Sequence, residues 1–358
     1  MSMKAYRIRN KTLDFPLIQG GMGVGVSLGN LAGHVAKEGC MGVISGVQIG
    51  YRKEDFYRDN LRCNKEALKE EVQKARSISD NRGMVAVNIM VAGNQYEEML
   101  KSALESGVDA IISGAGLPMA MPKIAQGYDV ALAPVVSGGK AAKVVMNSWL
   151  RKENRFADFV VLEGRGAGGH LGFHRQEIDS PDMKLEKLLQ EVLEVVKTFE
   201  DKKGSAIPVF IAGSVFDGYE MAYYAKRGAF GAQIGTRFIA TYECDASEEF
   251  SKLICQAKKE DVIITQSPVG LPGRALKTKL LEQLEHDGRI PPKRCIDCLK
   301  PCNPAVTPYC ISEALIQAAK GNIEQGLFFT GENVDRINKM YHVHDLIEEL
   351  KMQWEETI

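Results

Sequence analysis

The sequence predicts an α/β fold, a (β/α)8 TIM barrel with a smaller, mainly helical cap, and three observations carry that prediction. Eight short apolar runs alternate with helical segments through the first two-thirds of the chain. Most of these runs empty into glycine or small polar residues, as strands do when their C-terminal ends share one working rim. More than a hundred residues remain after the eighth run, enough to build a cap. An open doubly wound sheet is the competing arrangement, and the count of eight favours the barrel.

In chain order, residues 15–19 form the first strand and break into Gly20-Gly21-Met22-Gly23-Val24-Gly25. A helix follows over 28–38 and stops at Gly39, a suitable C-terminal glycine. The second strand, 41–46, repeats the strand-into-glycine form. A charged amphipathic helix over 64–80 leads to the third strand, 84–90, which carries Asn88. A helix at 96–106 precedes the fourth strand, 109–113; the fifth, 130–136, opens into Ser137-Gly138-Gly139 and a helix over 140–151. The sixth is 158–162. The seventh, 207–212, leads through Gly213-Ser214 to a helix ending at Lys226, and the eighth, 230–234, leads to Gly235-Thr236-Arg237.

Beyond Thr236 the spacing predicts a helix over 247–259, a strand at 261–265, a turn-rich linker at 267–274, a helix over 275–286, and two final helices at 313–321 and 334–353. The expected organisation is a barrel over 1–241, a cap over 242–310, and C-terminal helices over 311–358 that pack back on the barrel. Lys plus Arg number 45 against 46 Asp plus Glu, a net charge of -1, so no global field draws in nucleic acid or an anionic membrane. No apolar stretch reaches the length of a membrane span, and the first residues lack a secretory apolar core, which predicts a cytoplasmic protein. Eight cysteines in such a chain argue against a disulfide scaffold.

Chemistry concentrates in Glu163-Gly164-Arg165-Gly166-Ala167-Gly168-Gly169-His170-Leu171-Gly172, the loop leaving the sixth strand. Glycine brings main-chain N–H groups against a ligand with no Cβ in the way. His170 supplies an imidazole able to do acid or base work near neutral pH. The competing reading is a loop histidine satisfied by a carbonyl or water; the flanking glycines favour function. The loops after the last two strands, Gly213-Ser214 and Gly235-Thr236, read as a phosphate grip of backbone N–H groups, against two ordinary βα turns. Gly164, Gly166 and Gly169 spell Gly-x-Gly-x-x-Gly, but no acidic residue follows where a dinucleotide site needs one, so a Rossmann site is rejected. A phosphate-bearing planar cofactor on such a rim suggests flavin mononucleotide (FMN), with the side-chain amides of Gln19 and Asn88 at its ring edge or, on the competing reading, capping turns.

Residues 15–22, Ser113-Gly114-Ala115-Gly116-Leu117-Pro118, Gly168-Gly169-His170-Leu171-Gly172, Ala212-Gly213-Ser214 and Gln233-Ile234-Gly235-Thr236-Arg237-Phe238 together resemble the nitronate monooxygenase family, formerly called 2-nitropropane dioxygenases. Flavin-type enoyl-acyl-carrier-protein reductases share most of these motifs. Position by position, the resemblance implies FMN held by Gln19, Gly20, Gly21, Met22 and Asn88, by Gly168 and Gly169, by Ala212, Gly213 and Ser214, and by Gln233, Gly235 and Thr236. It implies His170 as the catalytic imidazole. The chain departs from the family at Arg165-Gly166, where relatives often carry a bulkier or acidic residue, and in its cysteine-bearing tail; both departures bear on the substrate.

The implied activity is oxidation of alkyl nitronates by O2 to carbonyl compounds and nitrite, the anion docking beside a protonated His170. A neutral nitroalkane would first lose its α-proton to that residue. The alternative is an NAD(P)H-dependent flavin reductase of enoyl thioesters or quinones, with His170 steadying the developing enolate. A non-enzymatic metal- or flavin-binding protein on the same barrel is a third reading, against which the setting of His170 weighs. Either enzyme takes a small-molecule substrate; the oligomeric state, a homodimer included, is open. Separately, Cys295-x2-Cys298-x3-Cys302-x7-Cys310 has a spacing compatible with an iron–sulfur cluster or a structural zinc, against four reduced thiols in a proline-rich loop.

Overall fold

The computed structural model describes residues 6–358; residues 1–5, on which the reading of the N-terminus partly rests, lie outside them. Eight parallel strands close into a barrel: β1 (Leu17–Gln19), β2 (Met41–Ser45), β3 (Met84–Met90), β4 (Ala110–Gly114), β5 (Ala131–Val136), β6 (Val160–Glu163), β7 (Val209–Ala212) and β8 (Gly231–Ile234). Closure is the pairing of β8 with β1, Gln233 opposite Ile18. The (β/α)8 expectation therefore holds.

The strands read as unbroken apolar runs because both of their faces are buried. Alternate residues still go to different cores. Ile18, Met41, Val43, Met84, Ala86, Ile112, Val161 and Phe210 fill the barrel interior, joined by Ile8 and Leu13 of an N-terminal hairpin. Their neighbours Leu17, Ile44, Val85, Val87, Ile111, Leu162 and Ile211 pack outward in the core shared with the surrounding helices. This parity decides which strand-end residues reach the rim.

The helix Gly29–Lys37 lies against β2 with no room for a side chain at Gly42, where a Cβ would sit 1.9 Å from the Ala32 carbonyl oxygen. Backbone cannot swing aside as a side chain does. Gly42→Ala is expected to cost about 3 kcal/mol or more, read as a lower denaturant midpoint at unchanged m-value.

Three segments differ from their sequence expectations. Leu185–Lys203 is a long helix between β6 and β7 that the spacing argument passes over, although Leu185, Leu188, Leu189, Val192, Val196 and Phe199 recur at helical period and are buried. The linker expected at 267–274 and the helix expected from 275 give way to a strand, Pro272–Leu276, with helix only over Lys279–Asp287. That strand pairs on one side with Val262–Gln266 and on the other with Gly169–His170, so ladder hydrogen bonds override local propensity. The last expected helix, 334–353, is a single tight turn at Val334–Arg336 followed by an extended stretch, with α-helix only over Val343–Glu355. Val343–Glu355 joins the barrel's outer core through Leu346, Ile347, Leu350 and Trp354. Ile311–Ala319 instead shares a core with Leu281, Leu299 and Tyr309 above the rim. No helix among the described residues is long and apolar enough to cross a membrane.

Candidate active site

A cavity of about 720 Å³ opens at the C-terminal ends of the barrel strands, a size usual for small-molecule sites. Its floor is the strand ends and their glycine loops; its walls include Phe250, Leu271, Pro272, Leu315 and Phe329 from beyond the barrel. Gly20, Gly21 and Met22 line it from the β1 loop, and Asn88 from β3. Gly168, Gly169 and His170 line it from the β6 loop. Ala212, Gly213 and Ser214 face it after β7, and Gln233, Gly235 and Thr236 after β8.

Gln19 does not line it. Strand parity sends Gln19 away from the interior, since Ile18 points inward, and its fully buried carboxamide is spent on backbone: Nε2 donates to the Gly20 and Val43 carbonyls, and Oε1 accepts the Val43 N–H at 3.1 Å. Asn88 has the opposite parity, two residues beyond inward-facing Ala86. The same count points Gln233 and Glu163 inward. Neither the Asn88 nor the Gln233 carboxamide is hydrogen-bonded to another described residue, so both present free donors and acceptors to the cavity.

His170 is held by the three-stranded sheet above the rim, opposite Gly273 of Pro272–Leu276. Its Nε2 lies 2.8 Å from Ser267 Oγ, and its ring meets the edge of Phe329 with centroids 5.1 Å apart. Ser267 Oγ also accepts the Val269 N–H at 3.2 Å, which leaves the hydroxyl one proton to donate to Nε2 and one lone pair to accept from it. Burial pushes the His170 pKa down to about 4, so the ring is neutral at pH 7. Burial alone favours the neutral ring over the expected protonated one; among the described residues no charged group offsets its desolvation.

Glu163 is a titratable group of the cavity to which the sequence reading assigns no role. It lines the cavity at the end of β6 without a hydrogen bond or ion pair to any described residue, and burial pushes its pKa up to about 7. Its folded pKa lies above the ordinary carboxylate value, so the proton is bound more tightly in the folded chain and stability falls as pH rises through about 7. Glu163→Gln is expected to raise stability at pH 8.5 relative to wild type, to leave it nearly unchanged at pH 4, and to remove an inflection near pH 7 from the profile of kcat/KM. A group with the pKa of His170 contributes no inflection there. Thermal melts and a pH–rate series on both proteins check this.

The glycine loop owes its glycines to the chain's own backbone as much as to any ligand. A Cβ on Gly168 would stand 2.5 Å from the Thr330 carbonyl carbon, and one on Gly166 would stand 2.0 Å from Ser214 Oγ and 2.1 Å from Glu332 Oε1. Residues 330–332 thus lie directly across the β6, β7 and β8 loops. Arg274, buried in the strand Pro272–Leu276, donates through Nη1 to the carbonyls of Arg165 at 2.5 Å and Ala167 at 2.9 Å and fixes the loop's course.

The residues present fit a flavin phosphate. Among the described residues, the N–H groups of Gly213, Ser214, Gly235 and Thr236 take no backbone acceptor, and Ser214 holds a left-handed φ of 66° that turns its loop toward the cavity. Unpaired amides facing a pocket are an anion's donor set. The two hydroxyls are engaged elsewhere: Thr236 Oγ1 accepts the Gly331 N–H at 2.9 Å, and Ser214 Oγ donates to Glu332 Oε1 at 2.5 Å.

The cysteines fit less well. Cys298 neighbours Cys302 and Cys310, and Cys310 neighbours Cys295, yet no three of these sulfurs lie within 4.8 Å of one another. Zn–S bonds of about 2.3 Å in a tetrahedron require sulfurs about 3.8 Å apart, so the thiols as placed do not fit a mononuclear zinc. Burial pushes Cys298 up to about 11, and all four are free thiols. Their loop docks on the segment after β3, where the Cys298 carbonyl accepts the Asn94 N–H and Lys300 Nζ donates to the Val91 carbonyl at 3.1 Å.

With the site's geometry in place, a family model described as nitronate monooxygenase matches residues 6–353. The chain belongs to the nitronate monooxygenase family. It is 24% identical over 316 residues to a probable nitronate monooxygenase of Staphylococcus aureus (strain Newman), covering 78% of this chain and 80% of that protein. It is 25% identical over 281 residues to the (3aS,4S,5R,7aS)-5-hydroxy-7a-methyl-1-oxo-octahydro-1H-indene-4-carboxyl-CoA dehydrogenase of Mycobacterium tuberculosis (strain ATCC 25618 / H37Rv), covering 77% and 67%. Its fold is that of FabK from Thermotoga maritima, with TM-score 0.74 and 24% identity over 96% of this chain and 94% of that one. A nitroalkane oxidase from Streptomyces ansochromogenes gives 0.72 and 19%, covering 96% of each chain. Membership makes this chain an FMN-dependent oxidoreductase.

Proposed function

We propose that the chain oxidises small alkyl nitronates with O2, yielding a carbonyl compound and nitrite, with FMN seated along the rim loops. Bound flavin supplies the electron-accepting chemistry. Asn88 and Gln233, which line the cavity, would bind its ring edge, and the N–H groups of Gly213, Ser214, Gly235 and Thr236 its phosphate. The observation that carries the substrate reading is the state of His170. Burial lowers the basicity of His170, which makes it a poor base for a neutral carbon acid, whereas oxidation of an anionic nitronate needs no proton removed from carbon. A nitronate is already deprotonated. The expected preference is therefore for propane-2-nitronate over 2-nitropropane, measured as oxygen uptake and nitrite release; activity on the neutral nitroalkane alone would overturn it.

A second reading, reduction or oxidation of a thioester-linked substrate with NAD(P)H as partner, draws on the carboxyl-CoA dehydrogenase among the relatives and on the exposed Arg175 at the cavity mouth. For Cys295, Cys298, Cys302 and Cys310 the iron–sulfur reading rests on their spacing and mutual proximity, and iron and acid-labile sulfide analysis of protein prepared without oxygen tests it.

A further inference from the structure

The phosphate grip contains a carboxylate. Glu332 lines the cavity, accepts the Ser214 hydroxyl at 2.5 Å, and is tied through its own N–H to the Gly166 carbonyl at 3.1 Å. Gly331, one residue earlier, is tied to Thr236. This carboxylate therefore sits between the β6 loop and the β7 loop, beside N–H groups that have no acceptor of their own. No lysine or arginine pairs with it among the described residues.

The nearby cations make their direct contacts elsewhere. Arg274, from the sheet above the rim, is electrostatically coupled to Glu332 but is committed to two loop carbonyls. Arg165, on the β6 loop, is committed to the Ile178 carbonyl at 2.8 Å. Arg237, after β8, pairs with Glu349 at 2.9 Å, and Arg336 pairs with Asp217 and Glu220, each at 2.6 Å. Glu163, at the end of β6, adds another acid to the same cavity. A phosphate dianion beside Ser214 would thus meet a carboxylate that has no cation in direct contact, an arrangement that favours one proton shared between the two acids.

Resting on the FMN reading above, we propose that Glu332 is a specificity element of the phosphate grip: a phosphate seated against Ser214 shares a proton with Glu332, so the chain takes up one proton from solvent when it binds FMN. The second pKa of a phosphate monoester is about 6, so the proton must be captured when binding occurs above that pH. Affinity for FMN then falls as pH rises, by up to tenfold per pH unit. Riboflavin has no phosphate and escapes the dependence.

Calorimetric titration of the full-length chain with FMN at pH 8, in two buffers of different protonation enthalpy, counts the protons, and flavin fluorescence gives Kd between pH 5.5 and 8.5. The expected count is close to one, with Kd for FMN rising across that range and Kd for riboflavin flat. Glu332→Gln keeps an acceptor for Ser214 and loses the charge. It should bind FMN about tenfold or more tightly at pH 8, with no proton uptake and unchanged affinity for riboflavin, whereas Glu332→Asp should keep the pH dependence. A proton count of zero in the wild type, with FMN affinity flat in pH, would overturn the proposal whether or not the variants fold, and would leave the cofactor reading standing. Failure of the wild type to bind FMN at any pH would overturn the cofactor reading and this inference with it.

Discussion

His170→Ala is expected to lower kcat by about 10²- to 10³-fold, the range for removing one positioned hydrogen-bonding group beside the reacting anion, while the protein keeps its flavin absorbance. The two parts of the expectation come from different places in the structure. The imidazole faces the cavity from the sheet above the rim, whereas the backbone donors for the phosphate belong to the β7 and β8 loops. Removing the ring leaves those donors untouched. Ser267→Ala tests the same arrangement more gently: it frees Nε2 and is expected to reduce turnover by a smaller factor, on the order of tenfold, while moving the acid limb of the pH profile. Without the Ser267 hydroxyl the ring keeps no side-chain hydrogen-bond partner among the described residues. Full activity in His170→Ala, with flavin bound, would remove His170 from the mechanism.

Arg274→Leu carries the second large effect, a loss of about 3 to 5 kcal/mol of stability together with weakened flavin retention. The buried guanidinium satisfies two loop carbonyls, and leucine fills much of its volume but satisfies neither. The loop then has no reason to follow a course that places Gly166 and Gly168 under residues 330–332. Denaturant unfolding gives the stability change and dialysis the flavin loss. A variant as stable as wild type would show that the loop is fixed by its glycines and the 330–332 crossing alone.

Much of this was legible in the sequence because local patterns carry it. Each of the eight barrel strands overlaps an apolar run, and the working rim follows from the glycines at their ends. Strand parity would have improved the site as well: counting by twos from Ile18 places Gln19 outside the interior, and counting from Val161 places Glu163 inside it. The carboxamides of Gln19 and Asn88 look alike to a motif; only the pleat distinguishes them. Arg274 and Glu332 were not legible by any local signal. They act on residues 109 and 118 positions away, on segments whose own sequence reads as turn or connection. The charge state of His170 was hidden for the same reason, since it depends on the desolvation supplied by distant walls and on a hydroxyl 97 residues further along the chain.

The central claim is that an organic anion, and not a pyridine nucleotide, delivers electrons in this cavity. An anaerobic titration of the FMN-loaded protein, first with NADH and NADPH and then with propane-2-nitronate, tests it while the oxidised flavin absorbance is followed. The flavin should stay yellow with both nucleotides and lose its oxidised absorbance on adding nitronate. Rapid bleaching by NADH or NADPH, with no response to nitronate, would contradict the account and make the chain a nucleotide-driven reductase.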